Sequence, residues 1–221
     1  PWYMHSAPFA STDFDATRRY PVEGPDKADF GIVTINSSTL APFRRHALPP
    51  LRQDVLLVQE TKIVHHSGED PPQALATQQM KKLGYRTLFE TARQTAKQAK
   101  SAGVMVAWRA TREVHIIGTV VPHRATGIIL DCAKAGKITI ISFYGDSASE
   151  LNTKHHIETV LSKVAQIGKP WIIAGDFNMS PYDVQAILSD MNSPCHVVTS
   201  GTPTCKAPGG FPACLGFFYH P

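Results

Sequence analysis

The sequence predicts an α/β domain in which two sheets pack face to face with helices outside. Short apolar runs of strand length recur from residue 29 to residue 176. Amphipathic stretches separate some of them, but the runs between residues 103 and 144 follow one another as a meander without helices. No Gly-rich phosphate turn follows the first run, where Asn36-Ser37-Ser38-Thr39 stands instead. A simple strand–helix alternation would want both that turn and a helix after every strand.

Taken in order, residues 1–28 are rich in Pro, Ser and Asp without periodicity and are read as an extension or linker; the domain is expected over 29–221. Residues 29–36 and 54–60 are apolar runs, and each ends on a polar residue. A helix is expected over 72–83, stopped by Gly84. The stretch 91–101 is polar and reads as a loop. Runs at 103–108, 115–121, 127–132 and 137–144 give the meander, and 171–176 completes the strands. Continuous apolar runs of this kind suit strands buried on both faces. Over 152–168, Ile157, Val160, Leu161, Val164 and Ile167 share one helical face, with Gly168 and Pro170 ending it. Ser180-Pro181-Tyr182-Asp183 is a capped helix start, followed by the stripe Val184, Ile187, Leu188 and Met191.

At 221 residues, the length suits one domain. No apolar run approaches the roughly 18 residues of a membrane span, so no membrane association is expected. No secretory signal is visible, and an intracellular, monomeric protein is the expectation. The chain opens on Pro1 rather than Met and is read as trimmed or fragmentary. The net charge of +4 is compatible with a polyanionic partner without demanding one. Cys132, Cys195, Cys205 and Cys214 have no metal-finger spacing and are read as reduced or buried thiols, with disulfides left open.

Three strand ends carry polar groups that an apolar strand does not need: Asn36, Glu60 and the Gly175-Asp176-Phe177-Asn178 segment. Strand ends are rigid platforms, so side chains there converge with little reorganisation. Hard oxygen donors of this kind suit Mg²⁺ better than zinc. Taken singly, Asn36 is equally a turn cap and Glu60 a loop carboxylate. Gly-Asp-Phe-Asn is harder to read that way, since Asp176 and Asn178 would share one side of an extended segment.

Thr34-Ile35-Asn36, Leu57-Val58-Gln59-Glu60-Thr61, Ala102-Gly103-Val104-Met105-Val106, Ser142-Phe143-Tyr144 and Gly175-Asp176-Phe177-Asn178 occur in an order that resembles the endonuclease/exonuclease/phosphatase superfamily. The resemblance covers roughly residues 29–218. It implies a four-layered α/β sandwich and Mg²⁺-dependent phosphoester hydrolysis, with Mn²⁺ as a substitute ion. By the same resemblance Glu60 is the principal metal ligand and Asn36 an accompanying ligand or orienting group. Asp176 positions and activates the attacking water, Asn178 holds a phosphate oxygen, and Tyr144 faces the phosphate.

The departure lies near the C-terminus. Gly216 stands where the family has an aspartate, and no Ser-Asp-His follows before Pro221. His220 in Tyr219-His220-Pro221 is too close to Gly216 to replace the usual histidine. The sandwich is therefore expected to lack its last strand and loop, through truncation or catalytic degeneration.

Arg93, Lys97, Lys100 and Arg124 are the candidate phosphate-backbone contacts, a solvated loop without ligand being the competing reading. Trp108 and Trp171 are expected in the core, and His155 and His156 at the surface or boundary. The expected function is a Mg²⁺-dependent nuclease of apurinic or retroelement-endonuclease type, with nucleic acid, DNA first, as partner. A catalytically dead binding module and a lipid or inositol phosphate phosphatase are the rivals.

Overall fold

The computed structural model describes residues 4–6, 31–37, 53–64, 72–94, 100–132, 136–193, 195–199 and 215–220. Thirteen strands and three helices fall within these residues: β1 (Met4–Ser6), β2 (Ile32–Asn36), β3 (Val55–Gln59), α1 (Pro72–Lys82), β4 (Tyr85–Glu90), β5 (Arg93–Gln94), β6 (Lys100–Ser101), β7 (Val104–Arg109), β8 (Val114–Val121), β9 (Ala125–Asp131), β10 (Lys137–Tyr144), α2 (Glu150–Ile167), β11 (Trp171–Asp176), α3 (Pro181–Asp190), β12 (His196–Thr199) and β13 (Leu215–His220). One sheet runs β1-β2-β3-β7-β4 and the other β12-β13-β11-β10-β9-β8. Both mix parallel and antiparallel pairs.

Four layers result. Val55 and Leu57 point inward from β3, with Ile32, Val106 and Trp108, against Ile128, Ile140, Ile172 and Ala174 of the second sheet. Leu56 and Val58 point outward with Val33 and Ile35, onto Ala76 and Met80 of α1. Ile141, Phe143 and Ile173 face outward from the second sheet onto α2 and α3. The two-residue alternation thus survives inside continuously apolar runs, because each strand is covered on both sides.

The helix ends follow their local chemistry. Ser149 caps α2 by accepting from the Asn152 amide, and Gly168 closes it at φ 65, where a side chain would be strained. Ser180 caps α3 with Pro181 in the first turn. Met191, placed on the apolar stripe by periodicity, lies just past the helix and is exposed.

Four features escaped the strand pattern. Met4–Ser6 pairs in parallel with Ile32–Thr34. β4 mixes Arg86, Thr87 and Glu90 among its apolar residues and lacks clean alternation. The stretch read as a basic loop contains a small antiparallel pair, Arg93–Gln94 with Lys100–Ser101. β12 is a short strand beside β13. β13 pairs antiparallel with β11, and Gly216 faces Gly175 across that pair.

Candidate active site

The inner faces of β2, β3, β10 and β11 run from apolar to polar toward one end. On β2 the inward residues are Ile32, Thr34 and Asn36; on β10 they are Ile140, Ser142 and Tyr144; on β11, Ile172, Ala174 and Asp176. β10 and β11 are parallel, with Tyr144 beside Asp176, so their C-terminal ends deliver both side chains to one place. Among the described residues the site is made where these strand ends meet β2 and β3.

Glu60 reaches it by leaving the strand. Continued extension would send its side chain outward with Leu56 and Val58, but its φ of 55 turns the backbone into the left-handed region. Lys62 follows at φ 52, and the Thr61 and Lys62 amides bond to the carbonyls of Gly103 and Ala102. Such conformations are costly for side-chain-bearing residues and concentrate at functional sites.

The Glu60 carboxylate then gathers three partners. Its Oε1 accepts from the Tyr144 hydroxyl at 2.7 Å and from the Asn36 amide at 3.1 Å. Its Oε2 lies 3.3 Å from the Lys62 ammonium. Burial would raise the Glu60 pKa, but these bonds and the lysine charge outweigh it and hold the carboxyl below its ordinary value. Asn36 also donates to Asp176 Oδ2 at 2.7 Å, so one amide joins both carboxylates.

Asp176 is only 6% exposed. Burial pushes its pKa up, against the opposing bonds from Asn36 and the Asn178 amide at 3.0 Å, and the nearby Glu60 charge adds to the rise. Two carboxylates sharing one asparagine are thus driven apart, Glu60 downward and Asp176 upward. Burial and the bond to Glu60 push the Tyr144 phenol well above its ordinary range, so it stays a hydrogen-bond donor.

Asn178, at φ 48, turns its amide onto the Gly145 carbonyl at 3.0 Å. That carbonyl also accepts from Arg124 Nη1 at 2.7 Å. The Arg124 guanidinium lies over the Tyr144 ring, 5.1 Å from its centre, and 3.5 Å from Asp146. Arg124 is largely buried and already committed to these groups, whereas Arg93 and Lys100 are exposed on their strand pair. Lys97 lies outside the described residues.

Asn36, Glu60, Tyr144, Asp176 and Asn178 therefore come together as one hydrogen-bonded set, with Arg124 on its flank. Lys62 and Gly145 belong to the same neighbourhood and were not singled out from sequence; Gln59 and Ser142 belong to it too and stood in the motifs above without a role of their own. For Gln59 and Ser142 the available signal was a polar residue at an inward position of an apolar run. Trp108 and Trp171 are buried as expected, and His155 is exposed.

The donors are carboxylate and amide oxygens, and the Lys62 ammonium lies against the Glu60 carboxylate. No group of three or more His, Cys, Asp or Glu is clustered for a metal among the described residues. Glu60 and Asn36 present oxygen donors of the kind a hard divalent cation accepts.

Gly216 is in register with Gly175, next to Asp176, so the position where the resemblance expects a carboxylate lies at the site end of β13 and brings no side chain. No helix among the described residues is long and apolar enough to cross a membrane.

The fold has counterparts among known proteins. An endonuclease/exonuclease/phosphatase family protein from Leptotrichia buccalis C-1013-b superposes with a TM-score of 0.53 at 14% identity, covering 85% of this chain and 86% of that one. The Xenopus laevis APE2 catalytic domain matches at 20% identity and a TM-score of 0.46, covering 67% of this chain and 58% of that one. The present chain thus spans little more than half the length of that domain. The endonuclease domain of TRAS1, a telomere-specific non-LTR retrotransposon, matches at 15% identity and a TM-score of 0.49, covering 76% and 72%. No curated protein matches the sequence. The profile of the Endonuclease/Exonuclease/phosphatase family matches residues 33–219. With that match over most of its length, the chain belongs to the endonuclease/exonuclease/phosphatase family.

Proposed function

We propose that this protein is a Mg²⁺-dependent phosphodiesterase acting on nucleic acid, a nuclease of apurinic or retroelement-endonuclease type with DNA as the first substrate. The observation that carries the proposal is the single Asn36 amide shared by an ionised Glu60 and a buried Asp176.

Glu60 and Asn36 would hold the metal, which when bound neutralises charge on the phosphoryl oxygens. Asp176, its basicity raised by burial, would orient the attacking water and take its proton as the new P–O bond forms, while the P–O bond to the leaving ester oxygen breaks and that oxygen takes a proton from solvent. Tyr144 and Asn178 are neutral donors at the end of β10 and beyond β11, suited to bonding the phosphate oxygens as charge grows there. Arg93, Lys97 and Lys100 would meet the phosphate backbone.

One observation favours a second reading, a non-catalytic binding module of the same fold: Gly216 contributes no side chain beside Asp176. The deciding test is nicking of supercoiled plasmid with and without Mg²⁺, run beside Glu60→Gln. Metal-dependent nicking that disappears in the folded variant supports the nuclease. Its absence from folded wild-type protein sinks that reading; release of phosphate from an inositol phosphate would then point to the phosphatase branch.

A further inference from the structure

One layer below the site lies a second polar layer that the reaction itself does not use. Gln59, fully buried on β3, donates from Nε2 to Ser142 Oγ of β10 at 3.1 Å. Its Oε1 accepts from Thr34 Oγ1 of β2 at 3.2 Å. All three side chains are buried. The layer joins the two sheets by side chains, since β2 and β3 belong to one and β10 to the other.

The two layers are in step. Thr34 precedes Asn36 by one strand repeat, Ser142 precedes Tyr144 by one, and Gln59 immediately precedes Glu60. The upper set of bonds, Asn36 to Glu60 and Tyr144 to Glu60, spans the same three elements as the lower set. A register shift or splay between the sheets that broke one set would misplace the other. Apolar contacts alone are tolerant of small sliding, whereas a buried hydrogen-bonded bridge is directional and penalises it.

We infer that Thr34, Gln59 and Ser142 form a positioning bridge that fixes the two sheets so that Asn36, Glu60 and Tyr144 meet. Gln59 touches no reacting group in this arrangement; it acts through Glu60 and Tyr144. Its effect on reaction rate rests on the function proposed above, but its effect on the geometry of Asn36 does not.

The experiment compares wild type with Gln59→Met, Ser142→Ala, Thr34→Val and Thr34→Ser. Thr34→Val keeps the shape and loses the hydroxyl; Thr34→Ser keeps the hydroxyl. Thr139→Val serves as the control, because the Thr139 hydroxyl is equally buried on β10 and has no hydrogen-bond partner among the described residues. Two quantities are read: the side-chain amide resonances of Asn36 in a ¹⁵N–¹H spectrum, and kcat and KM for plasmid nicking.

Thr34→Val, Ser142→Ala and Gln59→Met are expected to shift the Asn36 resonances and speed their exchange with solvent. They should lower kcat by roughly 10- to 100-fold with KM little changed, the usual scale for a slightly misplaced reacting group. Thr34→Ser should stay near wild type in both readouts. Should Gln59→Met fail to fold, the two milder variants decide. The inference is overturned if folded Thr34→Val and Ser142→Ala lose only thermal stability, with Asn36 unmoved, or if Thr139→Val moves Asn36 as much. A wild type that does not nick, with Asn36 still displaced in the variants, removes the nuclease and leaves the bridge standing.

Discussion

The Tyr144 hydroxyl donates to Glu60 Oε1 at 2.7 Å, joining the last residue of β10 to the first residue beyond β3 and so one sheet to the other. The bond has an electrostatic consequence as well as a geometric one. It is among the interactions that overcome burial and hold Glu60 below its ordinary pKa of 4.5. A carboxyl lowered on folding adds stability that is present above its unfolded value and is lost as pH falls through its folded value. Tyr144→Phe removes the bond and raises the folded value. The variant should therefore be less stable than wild type at neutral pH, lose less on acidification and finish losing it at higher pH; on the function proposed above it should nick DNA about 10²–10³-fold more slowly. Denaturant unfolding across the acid range checks the first part; coincident acid profiles would contradict it.

Gly175 and Gly145 are required by space. A methyl group on Gly175 would lie 1.8 Å from the Phe143 carbonyl oxygen, and one on Gly145 would lie 2.0 Å from that of Phe177. Both obstacles are backbone, so no side chain can swing aside. Gly175→Ala should cost about 3 kcal/mol, the upper part of the range for overpacking. Gly145→Ala should also loosen Asn178, whose amide sits on the Gly145 carbonyl. The urea midpoint measures the cost, and a loss well under about 1 kcal/mol would show that the strands part more easily than their register indicates.

What the sequence disclosed follows from how local each signal is. β10 and β11 were readable end to end because a continuous apolar run needs only cover on both faces. Asp176 and Asn178 stood out because polar residues closing such a run have no packing reason to be there. β4 was hidden because its polar residues face partly exposed surroundings and break the alternation. Lys62 was invisible because its nearness to Glu60 depends on two departures to positive φ, at Glu60 and Lys62 on either side of Thr61, which no propensity announces. The bridge at Gln59 needed the pairing of two sheets distant in sequence.

Arg124 and the strand pair carrying Arg93 and Lys100 were grouped together by charge, and their surroundings separate them. Arg93 and Lys100 are exposed, so, on the function proposed above, replacing both with Ala should weaken DNA binding, reduce its salt dependence by about one phosphate contact each, and leave kcat unchanged. Arg124 holds the Gly145 carbonyl and packs on Tyr144, so Arg124→Met should lower kcat and melting temperature while the salt slope holds. Binding isotherms at several salt concentrations, beside nicking rates, distinguish the two. Equal salt slopes for Arg124→Met and the Ala double variant would fail to support the separation.

Two buried threonines give opposite expectations for one substitution. The Thr34 hydroxyl donates to Gln59, so Thr34→Val leaves a buried amide oxygen without that bond and should cost about 1–2 kcal/mol. The Thr139 hydroxyl, at the same depth, has no partner among the described residues, so its desolvation goes uncompensated by them. Thr139→Val keeps the branched shape suited to a strand and removes that group, so it should leave stability unchanged or raise it by up to about 1 kcal/mol. Because volume and β propensity change equally at the two sites, the difference between their urea midpoints isolates the hydrogen bond. Equal losses would mean that the Thr34–Gln59 bond contributes nothing beyond packing, and the bridge between the sheets would then rest on Ser142 alone.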